Sequence, residues 1–116
     1  GEATTEGFEK YYNKIYEGVV KRFANSPVTI HRMSTARWFD TFPDKLDWIY
    51  VDASHAYEGC LHDLTRAVSM IKPGGLLFGD DYGPKKPGVR DAVNKFIDNT
   101  GYTLNNFHDD QFEVQL

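Results

Sequence analysis

Stretches with the hydrophobic spacing of helices alternate along this chain with short runs that have the composition of strands. In the helical stretches, apolar or aromatic side chains stand three or four positions apart and so share one face. The first stretch places seven residues on such a face: Phe8, Tyr11, Tyr12, Ile15, Tyr16, Val19 and Phe23. Thr4 or Thr5 is expected to cap it, and an Asn-Ser-Pro sequence ends it. A short second helix is predicted from a cap at Ser34 or Thr35 to about Phe42.

Two longer amphipathic helices are predicted in the second half of the chain. The first begins near Tyr57, and its apolar face consists of Leu61, Leu64, Val68 and Ile71. A Lys-Pro-Gly-Gly sequence at residues 72–75 is expected to stop this helix in a turn. The apolar face of the second helix consists of Val89, Ala92, Val93, Phe96 and Ile97. Gly101 follows it as the expected cap.

Three runs between the helices predict strands, at residues 28–33, 48–51 and 76–78. The last of these runs is wholly apolar, which is typical of a strand buried on both faces of a parallel sheet. Residues 102–104 and 112–116 predict an antiparallel hairpin. The chain is therefore expected to form one α/β domain over residues 1–116. Its sheet is expected to be mostly parallel, with helices on both faces and an antiparallel C-terminal hairpin.

The composition argues against several classes of function. The 116 residues are 41% hydrophobic and 15% aromatic, which is enough for one small core. The net charge of -4 argues against a nucleic-acid-binding surface, because phosphate contacts need clustered lysines and arginines. No apolar run approaches the roughly 18 residues that a membrane crossing needs, and the acidic, polar start predicts no signal peptide. A single cysteine, Cys60, fits a reducing, cytoplasmic setting and is expected to be a partly buried thiol.

Acidic residues follow two of the predicted strands. Asp52 ends the run at residues 48–51, and Asp80 and Asp81 follow the run at residues 76–78. Open parallel sheets bind ligands beyond the carboxyl ends of their strands, and neighbouring strands lie about 4.8 Å apart. Three carboxylates could therefore converge on a divalent cation such as Mg²⁺. Alternatively, one aspartate caps the next helix and another faces solvent, and the spacing alone does not separate the two.

Histidines are the other candidates for chemistry. His55 lies three residues after Asp52, in the loop that enters the next helix, where it could act as a general base near neutral pH. The alternative is that it caps that helix or binds a backbone carbonyl. The remaining three have no acidic or cysteine partner at ligand spacing and are expected to be structural or exposed: His31, His62 and His108.

An ordered set of motifs gives the chain a family resemblance. The set consists of Asp-Ala-Ser-His-Ala-Tyr-Glu beginning at Asp52, Lys-Pro-Gly-Gly at residues 72–75, and Asp-Asp-Tyr beginning at Asp80. It resembles the class I S-adenosylmethionine-dependent methyltransferases, in particular the macrocin O-methyltransferase-like small-molecule enzymes. The match is close over residues 46–97 and looser over residues 8–42. The resemblance implies a Rossmann-like methyltransferase fold and methyl transfer to an oxygen of a small molecule.

The resemblance also implies roles for the residues at the strand ends. Asp52, Asp80 and Asp81 match the acids that hold a divalent cation in the metal-dependent branch of the family. That cation would orient and acidify the acceptor hydroxyl. His55, with Asp52 beside it, matches a loop position that could take the proton. Asp81 stands where the catechol-type enzymes often carry asparagine, which favours the macrocin-type branch.

The cofactor site implied by the resemblance is only partly represented. Ser34, Asp52 and Ala53 match positions close to the adenine of S-adenosylmethionine. The family fold normally opens with a strand and a Gly-x-Gly-x-Gly-like loop, whereas the residues before Phe8 contain only two glycines. The chain is therefore expected to be the C-terminal part of the domain, inactive alone and a poor binder of the cofactor. The alternative is a non-catalytic α/β interaction module; a dehalogenase-like phosphatase would need an Asp-x-Asp nucleophile that the sequence lacks.

The same resemblance predicts a sheet with open edges. In the complete family fold, two other strands separate the strand at residues 28–33 from the strand ending at Asp52. Without them, the two remaining strands either pair directly through a crossover or leave edges that a second chain can cover. The broad aromatic face of the first helix favours a homo-oligomer, with a dimer as the expected form.

Overall fold

The computed structural model describes residues 5–106 and 110–116 of the chain. Within it the chain forms two compact units, Gly1–Arg32 and Met33–Leu116. Thr4, one of the two residues expected to cap the first helix, and His108 lie outside the described residues.

The first unit contains one long helix, α1 (Thr5–Arg22), which confirms the prediction from the aromatic spacing. Residues 28–33, however, do not form the strand that was predicted for them. A β-branched run becomes a strand only when a neighbouring strand accepts and donates its backbone hydrogen bonds. The four strands of the described sheet all come from later in the chain, so the direct pairing considered for this run does not occur.

The second unit contains three helices and one four-stranded sheet. The helices are α2 (Thr35–Thr41), α3 (Tyr57–Ser69) and α4 (Pro87–Thr100). The strands are β1 (Leu46–Val51), β2 (Ile71–Gly79), β3 (Thr103–Asn106) and β4 (Phe112–Gln115), in the order β1-β2-β4-β3. The β1–β2 pair is parallel, whereas β4 runs antiparallel to both β2 and β3. The α/β architecture and the antiparallel C-terminal hairpin are therefore as predicted.

The helix ends follow the local sequence. Ser34 caps α2, and its hydroxyl oxygen accepts a hydrogen bond from the Arg37 amide at 3.2 Å. Gly101 ends α4 in the left-handed conformation, at a φ of 74°, as expected for a glycine cap. The helix α3 ends at Ser69, before the Lys-Pro-Gly-Gly sequence.

The Lys-Pro-Gly-Gly sequence does not form a separate turn, because it lies inside β2. The register explains this difference: Leu46 of β1 pairs with Ile71, but Trp48 already pairs with Leu76. The extra residues of β2 form an irregularity opposite β1, and Gly74 takes a φ of 80° there. Ile71 consequently starts a strand, where the hydrophobic spacing had placed it on the face of the preceding helix.

The core lies between the three helices and one face of the sheet. Its fully buried members come from α3, α4, β2 and β4, and the largest of them are Phe96, Phe112, Leu64, Leu77, Val93 and Val114. Leu76 and Phe78, on either side of Leu77, are only half-buried, so the burial of this run on both faces was predicted wrongly. Side chains of a strand alternate between faces, and here only one face carries the core. Among the described helices, none combines the length and the hydropathy that a membrane crossing requires.

Candidate active site

The two parallel strands end side by side and carry acids beyond their carboxyl ends. Val51, the last residue of β1, pairs with Gly79, the last residue of β2. Asp52 and Asp80 therefore leave neighbouring strands at the same edge of the sheet, which is where open α/β sheets bind ligands. Asp81 follows with a φ of 69°, a left-handed conformation that redirects the chain immediately after the strand.

His55 brings two of these acids together. Its Nε2 lies 3.0 Å from Oδ2 of Asp81 and 3.9 Å from Oδ1 of Asp52. One ligand atom from each of the three residues lies within 4.8 Å of the other two. Asp80, predicted from its position to belong to the same group, is not one of these three. It instead lines a small depression together with Asp52 and His55.

The loop from Asp52 to Ala56 determines where the imidazole of His55 points. The N-cap of α3 is Ala56, which makes no side-chain capping hydrogen bond, so His55 does not cap the helix as the alternative interpretation proposed. The Ser54 hydroxyl accepts a hydrogen bond from the Ala56 amide at 3.3 Å and tightens the loop. The side chain of His55 is thereby left to contact the acids, with 47% of its surface exposed.

The acids create a negative potential around the end of β1. Burial raises the pKa of the Tyr50 hydroxyl, and the carboxylates of Asp80, Asp52 and Asp81 raise it further, in that order. All three predicted acids therefore act on one neighbouring group, although only two of them contact His55. A proton on His55 or a bound cation would relieve their mutual repulsion.

An open cavity of about 290 Å³ lies beside β1, between that strand, α2 and α3. Asp52 and Ala53, two of the three residues predicted to bind the cofactor, line it. The third, Ser34, is not among its lining residues, and its hydroxyl is engaged in capping α2. Thr35 takes its place at the cavity, together with the aromatic side chain of Trp38.

Sequence reasoning missed a buried acid at this cavity, Asp63. Its side chain accepts a hydrogen bond from the Thr35 hydroxyl at 2.8 Å, and the residue is only 3% exposed. Nδ1 of His62 lies 3.8 Å from the same carboxylate, so this histidine has an acidic neighbour that the ligand-spacing argument did not predict. The helical spacing could have predicted the burial of Asp63, because this residue shares the apolar face of α3 with Cys60, Leu64 and Ala67.

Cys60 is more deeply buried than the helical spacing predicted. The residue is 3% exposed, and burial, followed by the charge of Asp63, raises the pKa of its thiol to about 11. A thiol with so high a pKa is almost entirely protonated at neutral pH and is a poor nucleophile. Cys60 therefore contributes to the core and not to the chemistry of the site.

The α/β fold and the acids beyond the carboxyl ends of β1 and β2 are consistent with a Rossmann-like methyltransferase domain. A family model described as a methyltransferase domain matches residues 3–82, which is more than half of the chain. The chain belongs to this family. The family resemblance predicted from the motifs at Asp52, residues 72–75 and Asp80 is thus confirmed.

Individual relatives resemble the chain in sequence or in fold. The structure of the O-methyltransferase NovP aligns with a TM-score of 0.64 at 25% identity, covering 85% of this chain and 43% of NovP. CalS11, a TDP-rhamnose 3'-O-methyltransferase of calicheamicin biosynthesis, shares the fold with a TM-score of 0.55 at 17% identity, over 70% of this chain and 36% of CalS11. An uncharacterised protein of Acanthamoeba polyphaga mimivirus, R132, is 32% identical over 60 residues, 50% of this chain and 27% of R132. The chain spans less than half the length of each of these relatives.

Proposed function

We propose that the chain is part of an S-adenosylmethionine-dependent O-methyltransferase that acts on a hydroxyl group of a small molecule. The observation that carries the proposal is the contact of His55 with Asp81 and Asp52 beyond the ends of β1 and β2. A base and acids at the ligand-binding edge of a methyltransferase sheet are suited to activating a hydroxyl acceptor. The O-methyltransferase activity of the relative NovP is consistent with this choice of acceptor.

His55 is the proposed general base. S-adenosylmethionine supplies a methyl group on a positively charged sulfur, so the acceptor oxygen forms a bond to that carbon as the carbon–sulfur bond breaks. The 3.0 Å contact allows Nε2–H of His55 to donate a hydrogen bond to Asp81. Nδ1 is then unprotonated and can take the hydroxyl proton, and the negative charge of Asp81 stabilises the resulting imidazolium. Asp52, 3.9 Å from the ring, adds to that stabilisation.

A divalent cation fits the same group of residues. The oxygen atoms of Asp52 and Asp81 lie within 4.8 Å of each other and of the imidazole, a separation that ligands of one ion can have. Asp52, Asp80 and Asp81 are the proposed carboxylate ligands of this cation. Asp80 lines the small depression beside Asp52 and His55. When bound, such a cation would lower the pKa of the acceptor hydroxyl.

The adenine side of the cofactor is proposed to occupy the cavity beside β1. Asp52 and Ala53 line this cavity directly. Ser34 would act indirectly, because its capping hydrogen bond fixes the first turn of α2. That turn carries Thr35 into the cavity lining.

A non-catalytic interaction module is the alternative function. The 116 residues contain no Gly-x-Gly sequence, the feature with which Rossmann-type domains approach a nucleotide-like cofactor. We expect these residues alone to bind S-adenosylmethionine with a dissociation constant weaker than about 1 mM, at the weak end of measurable affinities. Isothermal titration measures this, and a micromolar constant would show that the 116 residues hold the cofactor themselves.

The proposed reaction is tested by following the methyl group. The protein that contains these residues is incubated with methyl-labelled S-adenosylmethionine and a panel of phenols, catechols and sugar hydroxyls. We expect label in an O-methyl product of at least one acceptor, together with an equal amount of S-adenosylhomocysteine. Transfer to nitrogen or carbon only, or no transfer to any acceptor in the presence of Mg²⁺ or Mn²⁺, would contradict the proposed chemistry.

We also propose that the chain self-associates. β1 is an edge strand of the described sheet, with the sequence Leu-Asp-Trp-Ile-Tyr-Val, in which Asp47 is the one charged residue. Edge strands of this kind present unpaired backbone groups to other chains. Phe8, Tyr11 and Tyr12 of α1 are exposed as well, and such aromatic surfaces are common in interfaces.

A further inference from the structure

Two glycines lie at the points where α3 and α4 approach the His55 loop. A β-carbon at Gly88, in the first turn of α4, would stand 2.5 Å from the carbonyl oxygen of His55 and 3.1 Å from the Tyr57 amide nitrogen. A β-carbon at Gly59, in the first turn of α3, would overlap the Ser54 hydroxyl and stand 2.8 Å from Cβ of Ser54. The separations below 3.0 Å are too short for non-bonded atoms, so a side chain at either position would force neighbouring atoms to move.

The approaches of α3 and α4 to the loop, at Gly59 and at Gly88, are made to different residues of that loop. The one at Gly88 fixes the backbone of His55 itself against α4. The one at Gly59 fixes Ser54, the residue before it, against α3, and the Ser54 hydroxyl in turn accepts a hydrogen bond from the Ala56 amide. The loop that carries the proposed base therefore has little room to shift towards either helix.

The position of Asp81 is tied to the same helix. Asp81 and α4 are joined by a short segment in which the Lys86 amide donates to the Gly83 carbonyl at 3.3 Å, and the Val89 amide donates to the Lys86 carbonyl at 3.1 Å. The start of α4 thus contacts the backbone of His55 and is connected through a few residues to the acid that His55 meets. A side chain at residue 88 would therefore displace either the His55 backbone or the start of α4.

We propose that Gly59 and Gly88 are positioning residues that hold His55 within hydrogen-bond distance of Asp81. The 3.0 Å separation between Nε2 and Oδ2 tolerates a displacement of only a few tenths of an ångström before the hydrogen bond weakens. The inference rests on the proposed function only in so far as His55 is the base; the geometry is testable without catalysis.

The test uses imidazole nitrogen signals in two-bond ¹H–¹⁵N spectra of the 116-residue chain. Gly59→Ala and Gly88→Ala are each expected to shift the His55 nitrogens away from their wild-type, hydrogen-bonded values and to leave those of His62 unchanged. Gly18→Ala is the matched control, because a β-carbon there would have no atom within 4 Å. It should change neither histidine.

A second variant separates positioning from simple loss of folding. Ser54→Gly removes both atoms that the new β-carbon of Gly59→Ala would meet. Because Ser54→Gly also removes the hydrogen bond to the Ala56 amide, the double variant is expected to give the His55 signals of Ser54→Gly alone. The same Ser54→Gly change should not rescue Gly88→Ala, whose clash is with backbone atoms. If Gly88→Ala does not fold, as circular dichroism would show, the Gly59 and Ser54 pair decides the question.

The outcomes for the two proposals are distinguishable. Wild-type His55 signals in both folded glycine variants, or a double variant whose His55 signals differ from those of Ser54→Gly alone, would overturn the positioning role whatever the protein catalyses. Shifted signals together with an active His55→Gln variant would instead support the positioning and refute the base. In the methyl-transferring protein, the positioning role further predicts that folded Gly59→Ala lowers kcat by about tenfold to a hundredfold, with KM for the acceptor little changed.

Discussion

At the scale of single residues, the site depends on where side chains point after a strand ends. The sequence was sufficient to select Asp52, His55 and Asp81, because strand-end acids and the loop after them are positions where ligands bind. It could not show that the third member of the cluster with Asp52 and Asp81 is His55 and not Asp80. The left-handed backbone of Asp81, at a φ of 69°, redirects the chain at this point, and the sequence alone did not place that turn.

Asp63 shows the opposite case, in which the sequence held a signal that was not used. An aspartate on the apolar face of a helix needs a hydrogen-bond donor, because an unpaired buried carboxylate is costly. The donor is the Thr35 hydroxyl, 28 positions away along the chain. Helical spacing can predict that Asp63 is buried, but only the fold can name its partner.

Cation binding is a prediction at this scale. Calorimetric titration of the chain with Mg²⁺, Mn²⁺ and Ca²⁺ is expected to show weak binding, since the carboxylates are partly exposed and few. Asp80→Asn and Asp81→Asn should each diminish it, because each removes one negative charge from the end of β2. Asp98→Asn, an exposed acid in α4, serves as the control for a change of net charge. Binding that is unchanged in Asp80→Asn would remove that residue from the proposed ligands.

At the scale of elements, helices were predicted more reliably than strands. A helix makes its backbone hydrogen bonds internally, so the spacing in α1, α3 and α4 was enough to place them. A strand depends on partners, and residues 28–33 have none in the described sheet. The irregular start of β2 was missed for a related reason: a Lys-Pro-Gly-Gly sequence favours a turn locally, but pairing between Leu46 and Ile71 draws it into the strand.

The cap of α2 supports a prediction about this short helix. Ser34→Ala removes the acceptor for the Arg37 amide, and we expect it to lower the free energy of unfolding by about 1 kcal/mol. Chemical denaturation followed by circular dichroism measures the change. Ser26→Ala is a useful comparison, because the Ser26 hydroxyl bonds backbone groups outside any helix. A stability equal to that of the wild type would mean that the cap contributes little to α2.

At the scale of the whole molecule, the family and the α/β fold were predictable because they rest on an ordered set of motifs and on alternating elements. The extent of the sheet was harder to predict, since the number of strands depends on which segments find partners. In the described part of the chain, β1 is left at an edge. An exposed strand edge presents backbone groups with which another chain can pair.

Self-association is therefore expected for the isolated chain. Sedimentation equilibrium across a concentration series should give a mass above that of the 13.3 kDa monomer, with a dimer as the first species. Trp48→Lys should shift the equilibrium towards the monomer if β1 takes part, because Trp48 lies on that strand and is 59% exposed. A single monomeric species at high concentration would contradict the oligomer.

The central claim is that His55 takes the proton of a hydroxyl acceptor during methyl transfer. The most direct measurement is kcat for O-methyl product in the protein that contains these residues, compared between His55→Gln and His62→Gln. General-base catalysis contributes about 10²–10⁴-fold, so His55→Gln is predicted to lose at least about a hundredfold in kcat, while His62→Gln stays within a few-fold of the wild type. A His55→Gln variant with wild-type kcat would contradict the account.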